Sequence, residues 1–258
     1  MKKTIELNRK TITAMLTKDH SDKMTDMWSL STSCRCNGNC QLYKDLPGCV
    51  CGKCFSEATL NQWSSLAAKL ERNTDILCNT IINYDLIPVI TKKDIFRLEA
   101  FGDLINTTQF YNYYQFCIKN PGVMFALWTK NPWIIAAAFK KYEIKKPKNL
   151  IIVYSQKYLN ENCVDPCELN RDIMSKYSFI DKTFTVYTLD WLLAAGIDPD
   201  TFINCGARSC NGCRKCYKKR TDKNIRELEK SDMKRWQRMK KQFTKKAIME
   251  KAINELNH

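Results

Sequence analysis

Histidine is almost missing from this chain of 258 residues: only His20 and His258 occur. Mixed Cys/His zinc sites are therefore nearly excluded, and so is a histidine general base unless His20 supplies it. Glycine (8) and proline (7) are also scarce, while 44% of the residues are hydrophobic. That balance excludes disordered, collagen-like and Pro/Gly-rich linker proteins. Long apolar runs are lacking too: Pro132–Phe139 and Asn149–Tyr154 fall well short of the roughly 20 residues a membrane helix needs. The opening MKKTIELNRKTITAML has two early lysines but no apolar stretch, so no secretory signal is expected. A soluble, cytoplasmic protein is expected, with enough chain for a sizeable core in one large domain or two small ones.

What is abundant is cysteine, with 14 copies, and positive charge, with 42 Lys+Arg against 27 Asp+Glu. In a reducing compartment clustered thiols more often hold metal than form disulfides. Cys34, Cys36, Cys40, Cys49, Cys51 and Cys54 form one cluster, and Cys205, Cys210, Cys213 and Cys216 a second. Cys163 and Cys167 are a looser pair. Cys78 and Cys117 stand alone and are read as small buried hydrophobes.

Between the clusters, short runs rich in β-branched and aromatic residues read as strands: Ile95–Phe101, Val123–Trp128, Leu150–Tyr154 and Thr183–Leu189. Helix-length stretches separate the first three, at Thr107–Ile118 and Pro132–Tyr142. Asn131 before Pro132 suits an N-cap with proline at the first helical position. The alternation predicts βαβ units and a parallel sheet, whose ligands collect beyond the carboxyl ends of the strands. Gly102–Asp103, Thr129–Lys130 and Ser155–Gln156 follow the first three runs and would lie at that edge, although ordinary turn chemistry explains them equally well. After Cys216, apolar residues at three- and four-residue steps (Ile225, Leu228, Trp236, Met239, Phe243, Ile248) predict a long helix over Asp222–Leu256. From Tyr217 onward there are 14 Lys/Arg and 6 Asp/Glu. The basic positions Lys218, Lys219, Arg220, Lys240, Lys241, Lys245 and Lys246 suggest binding to nucleic acid or another anionic macromolecule.

Close-spaced thiolates must converge on one ion or cluster, and Gly48, Gly52, Gly206 and Gly212 permit the turns this requires. Cys205-x4-Cys210-x2-Cys213-x2-Cys216 fits either zinc or, by its short spacing, an iron–sulfur cluster of ferredoxin type. Six thiols at the N-terminal cluster exceed one four-ligand site, so two are spare, shared or redox-active. Cys51-Gly52-Lys53-Cys54 also allows a thiol-redox reading, because Lys53 would lower a neighbouring thiol pKa.

A Cys-rich segment opening onto βα units resembles the radical S-adenosylmethionine (SAM) enzymes. Cys36-x3-Cys40 and Cys51-x2-Cys54 are similar to the two halves of that superfamily's cysteine motif, with ten residues between them. Cys54-Phe55 is similar to its aromatic end, and Gly102–Asp103 to its Gly-acid pair at a strand end. The resemblance implies a partial parallel βα barrel and a 4Fe–4S cluster on Cys36, Cys40, Cys51 and Cys54. It further implies SAM contacts from Gly102, Asp103 and Ser155. A fully ligated second cluster, or zinc, is expected on Cys205, Cys210, Cys213 and Cys216. Lys130 and Arg97 are candidates to meet phosphates or carboxylates.

From about Trp28 to Tyr217 the chain more closely resembles the phage "gene product eighty-eight" proteins. The similarity is carried by Ser29-Leu-Ser-Thr-Ser-Cys34, Arg72-Asn73-Thr74, Phe96–Asp103, Trp128-Thr129-Lys130, Lys146–Leu150, Tyr154-Ser155 and the closing Cys205-Gly206…Cys216-Tyr217. This implies a phage or mobile-element origin.

The expected organisation is an N-terminal segment (1–33), a Cys-rich loop with the βα core (34–204), a four-cysteine metal-binding segment (205–217) and a basic helical tail (218–258). Two functions compete: an iron–sulfur, radical-SAM-like enzyme acting on an anionic macromolecule, and a non-catalytic metal-stapled phage protein that binds nucleic acid or inhibits a host factor.

Overall fold

The computed structural model describes residues 7–18, 22–91, 94–161, 166–206 and 209–242. Cys163, Phe243, Lys245, Lys246 and Ile248 lie outside these residues. Seven strands form one sheet in sequence order: β1 (Thr17–Lys18), β2 (Trp28–Leu30), β3 (Ile95–Leu98), β4 (Met124–Thr129), β5 (Leu150–Ser155), β6 (Lys182–Tyr187) and β7 (Asn224–Leu228). Only β1 is antiparallel to its neighbour; β2 through β7 are parallel. The architecture is thus α/β with a seven-stranded, mostly parallel sheet.

The helices up to β6 are α1 (Arg9–Met15), α2 (Gly38–Lys44), α3 (Phe55–Gln62), α4 (Ser64–Asn79), α5 (Thr107–Lys119), α6 (Pro132–Tyr142) and α7 (Pro166–Lys176). When each parallel crossover steps to the next strand with the same hand, the connecting helices fall on one face of the sheet. Strand side chains Leu30, Phe96, Leu98, Phe125, Leu127, Leu150 and Ile152 accordingly pack with Leu77 of α4, Phe110 and Phe116 of α5, and Ile135 of α6. The alternate strand residues Ile95, Ala126, Trp128, Ile151 and Val153 point the other way. Among the described residues, that second face is covered by Met24 and Met27 and by the C-terminal Cys segment, through Tyr217, Cys210 and Cys216.

The four expected strands are present with shifted ends. β3 stops at Leu98 because Glu99 takes a left-handed backbone (φ 58°). Leu189 begins a short helix, Leu189–Ala194, instead of ending β6. Asn131 is the residue before α6 and Pro132 its first position, but the Asn131 side chain does not cap the helix. It instead donates to Leu104 O at 3.0 Å and accepts from the Tyr43 hydroxyl at 3.1 Å.

The expected continuous tail helix over Asp222–Leu256 is corrected. Asn224–Leu228 is β7, paired with β6, and a helix occupies 230–242 of the described residues. Ile225 and Leu228 are three apart, a step that suits a helix face but also places them on opposite faces of a strand. Ile225 is buried on the Cys-segment side of the sheet, where it lines a cleft, and Leu228 packs with Tyr187, Leu189 and Leu192. The first segment and the tail each contribute a strand to the same sheet, β2 and β7. No helix of the described residues is long and apolar enough to cross a membrane.

Candidate metal centres

The N-terminal thiols occupy the carboxyl edge of the parallel sheet. After β2 the chain runs through buried Ser31, Thr32 and Ser33 into a 3₁₀ turn at Cys34–Cys36. Asn37 then caps α2, accepting from Asn39 N (3.0 Å) and Cys40 N (3.3 Å). Its amide donates to Asp103 O (3.0 Å), which bolts this loop to the segment after β3. The second half of the cluster is anchored elsewhere. Val50 N donates to Lys157 O (2.9 Å), Cys49 Sγ donates to the same oxygen (3.0 Å), and Leu159 N donates to Gly48 O (2.9 Å). These bonds tie Cys49–Cys51 to the loop after β5. Gly48 turns with φ 72°, a backbone that glycine adopts without a Cβ clash.

Cys34, Cys40 and Cys54 pack into one cluster with Leu60, Leu70 and Phe101, and Cys51 interacts electrostatically with Cys40 and Cys54. Its neighbour Cys54 and burial hold Cys34 protonated, well above its ordinary range. Cys54 sits at the start of α3, where Cys34 and the backbone N–H groups of Ser56 and Glu57 favour its thiolate against burial, so its pKa falls to about 6. Burial pushes Cys40 up, and pushes Cys51 up to about 11. Lys130, just past the end of β4, answers this sulfur density: burial opposes its charge, yet Cys51, Asp103, Cys40 and Cys49 together hold its pKa above the usual lysine value. Cys36, one of the expected ligands, is exposed. Cys34, which the spacing argument left out, is buried within the cluster.

The expected cofactor contacts are placed differently from one another. Both Asp103 oxygens are taken: Oδ1 accepts from Thr129 Oγ1 (2.5 Å) and Leu104 N (2.7 Å), and Oδ2 accepts from Lys130 N (3.0 Å). Gly102 leaves no room, since a Cβ there would lie 2.4 Å from Thr32 Oγ1 and 2.6 Å from Glu99 Oε2. These two residues serve the fold of the edge. Ser155 ends β5 in register with Phe184.

Beside Gly102 lies a group without a counterpart among the expected site residues. Glu99 is buried and accepts from Thr32 Oγ1 (3.1 Å), Gln109 Nε2 (2.6 Å) and the Tyr113 hydroxyl. Burial raises its pKa to about 7. Its sequence signal is a lone carboxylate inside the apolar run Phe96–Phe101.

The second thiol set, Cys205, Cys210, Cys213 and Cys216, lines a cleft against the sheet face with Trp128, Ile225 and Lys23. Arg97 lies flat over the Trp128 ring, 3.5 Å from its centroid. Burial raises Cys210 and Cys216, while the Arg97 charge pulls both back down. Lys23 pairs with Glu227 beside Cys205. Arg97 also donates to Glu99 O (3.4 Å).

Of the basic positions, Lys218, Lys219, Arg220 and Lys241 lie at the surface. Lys240 is bound to Asp200 (2.8 Å), so its charge is already met.

Among the described residues, no three or more His, Cys, Asp and Glu side chains stand in the arrangement that holds a metal ion. Both sets are nevertheless groups of thiols, mostly half-buried and with a cation nearby, which is compatible with the donor chemistry of zinc and iron–sulfur sites. The class defined by fold and site is an α/β protein with a singly wound, mostly parallel sheet, one thiol cluster on its edge and another on its face. The sequence matches the gene product 88 family over residues 3–178, so the chain belongs to that phage family; the second thiol set lies beyond the matched region. No curated protein matches the chain, and no solved structure matches it.

Proposed function

We propose that this is an iron–sulfur protein whose cluster is held at the carboxyl edge of the sheet by Cys34, Cys40, Cys51 and Cys54. The packing of Cys34, Cys40 and Cys54 in one cluster, with Cys51 and Lys130 interacting with it electrostatically, supports the reading. A cluster with four thiolates carries net negative charge, and a half-buried lysine directed at the sulfurs offsets it. A sheet wound in one direction with its thiols after the first parallel strand fits a partial βα barrel of radical-SAM type. The SAM component rests on that resemblance, and Gly102 and Asp103 do not support it: one is packed out and the other fully hydrogen-bonded. When bound, the cluster supplies electron transfer. The residues of the chain position it, shield it and balance its charge.

The second thiol set favours a structural role for its own metal, zinc or iron–sulfur. Cys210 and Cys216 pack with Tyr217 onto Trp128 and Val153, so a metal there would staple the cover of the open sheet face. Anionic macromolecules are the proposed partners, in line with the excess of 42 Lys+Arg over 27 Asp+Glu.

The test is anaerobic purification with iron, sulfide and zinc analysis, followed by electron paramagnetic resonance with and without SAM. Iron and sulfide lost on Cys34→Ser are expected. Zinc alone in both sets would leave the metal-stapled binding protein in place of the iron–sulfur reading.

A further inference from the structure

The excess charge has an outlet on the helical layer as well as the tail. The stretch 140–148 (KKYEIKKPK) carries five lysines and one glutamate. Lys146 is used internally, paired with Asp181 at 2.5 Å. Lys140 and Lys141 are exposed, and neither has a carboxylate partner among the described residues. Next to them three tyrosines from two helices are stacked. Tyr111 lies 4.3 Å from Tyr142 at an interplanar angle of 26°, and 6.0 Å from Tyr114 at 19°. Lys141 Nζ sits 4.9 Å from the Tyr142 ring, and Lys119 Nζ, at the far end of α5, lies 4.3 Å from the exposed Tyr84 ring.

Tyr142 packs against the core, but the other two rings of the stack do not belong to it. α5 buries Phe110, Tyr113 and Phe116, whereas Tyr111 and Tyr114 lie on its half-exposed side. Nearly parallel, half-exposed rings present π faces on which bases can stack, and adjacent ammonium groups without carboxylate partners meet phosphates. An acidic polypeptide would use the lysines but has no use for an aromatic ladder. A duplex hides its base faces.

We propose that the Tyr111–Tyr114–Tyr142 stack, with Lys119, Lys140 and Lys141, is a binding strip for single-stranded nucleic acid. It rests on the reading above only in its anionic partner, and is independent of the thiol chemistry. The strip binds without base sequence preference, because ring stacking and phosphate contacts read neither base edges nor groove shape.

The experiment is fluorescence anisotropy of a labelled single-stranded oligothymidylate with the full chain, across a salt series. Binding is expected with a Kd on the order of micromolar that weakens steeply with salt. Tyr114→Ala weakens it by roughly five- to a hundred-fold. The double variant Lys140→Gln/Lys141→Gln lowers the slope of log affinity against log salt by about 1.4. Circular dichroism melting of both variants is expected to match the parent, since all three side chains lie outside the core. The proposal is overturned if the oligomer does not bind, or if polyglutamate competes as well as unlabelled oligomer. It is also overturned if only Lys218→Gln/Lys219→Gln weakens binding while Tyr114→Ala leaves it intact. Metal analysis of the same samples separates the two readings. A metal-free chain that binds the oligomer supports the strip and refutes the cluster; a metal-loaded chain that does not bind refutes the strip.

Discussion

Gly102→Ala separates the fold's account of Gly102 from a cofactor-binding account. The added methyl would meet Thr32 Oγ1 at 2.4 Å, Glu99 Oε2 at 2.6 Å and Thr32 O at 2.7 Å. Relief requires movement of both Thr32, whose carbonyl is backbone in the buried loop before Cys34, and Glu99, which is held by Gln109 and Tyr113. Overpacking of this kind costs about 1–3 kcal/mol, and partial loss of the Glu99 hydrogen bonds adds about 1 kcal/mol. A loss of about 2–4 kcal/mol is therefore expected, a melting temperature lower by roughly 5–15 °C for a chain of this size. Urea unfolding followed by circular dichroism measures it. Gly122→Ala is the control, with nothing within 4 Å of its Cβ position; it is expected within about 0.5 kcal/mol of the parent or slightly stabilised. If Gly102→Ala unfolds at the parent's urea midpoint, the packing argument is wrong and the edge has room for a ligand.

Three further outcomes follow from the same geometry. Glu99 binds its proton more tightly folded than unfolded, with a pKa raised to about 7 by burial. Its contribution is thus fully present below about pH 4 and is lost as pH rises through about 7. Glu99→Gln should flatten the stability profile between about pH 4.5 and 7 by on the order of 3 kcal/mol, and an unchanged profile from urea titrations at several pH values refutes the assignment. Tyr113→Phe removes the hydroxyl bonded to Glu99 and should cost about 1.5–3 kcal/mol by urea unfolding; a neutral result would show that the bond contributes nothing. At the thiol group, Cys34→Ser should lose most of its bound metal while Cys36→Ser keeps it, as measured by metal analysis of anaerobically purified variants. The reverse pattern would restore the spacing argument and discard the structural one.

Much of the scaffold is readable because its signals are local. β3, β4, β5 and β6 are covered on both faces, so each is a short run of β-branched and aromatic residues. α5 and α6 follow from the lengths between them and from Pro132. β2 has only three residues and carries Ser29, too short and too polar for a periodic signal. β7 is hidden by Ile225 and Leu228, whose three-residue step suits a helix face as readily as a strand buried on both sides. The gathering of cysteine into two clusters is equally plain in the sequence, and so is the thiol-only character of any metal chemistry. Membership of each thiol group is not. Cys36 and Cys40 share a spacing, but the 3₁₀ turn at Cys34–Cys36 turns Cys36 outward and Cys34 inward.

The sequence by itself determined that the protein is α/β, that it is basic, and that it is rich in clustered cysteine and almost without histidine. Those properties depend on residue type and on periods of two to four residues, which survive without any long-range contact. Tertiary structure alone decided where the two halves of the first cysteine cluster are anchored, because Asn37 ties the first loop to Asp103 while Val50 ties the second to Lys157, each across distant stretches of chain. It likewise decided that the second thiol set covers a sheet face. Crossovers of one hand put the connecting helices on the opposite side, leaving Trp128 and Val153 to be buried by the chain that returns through Cys210 and Tyr217.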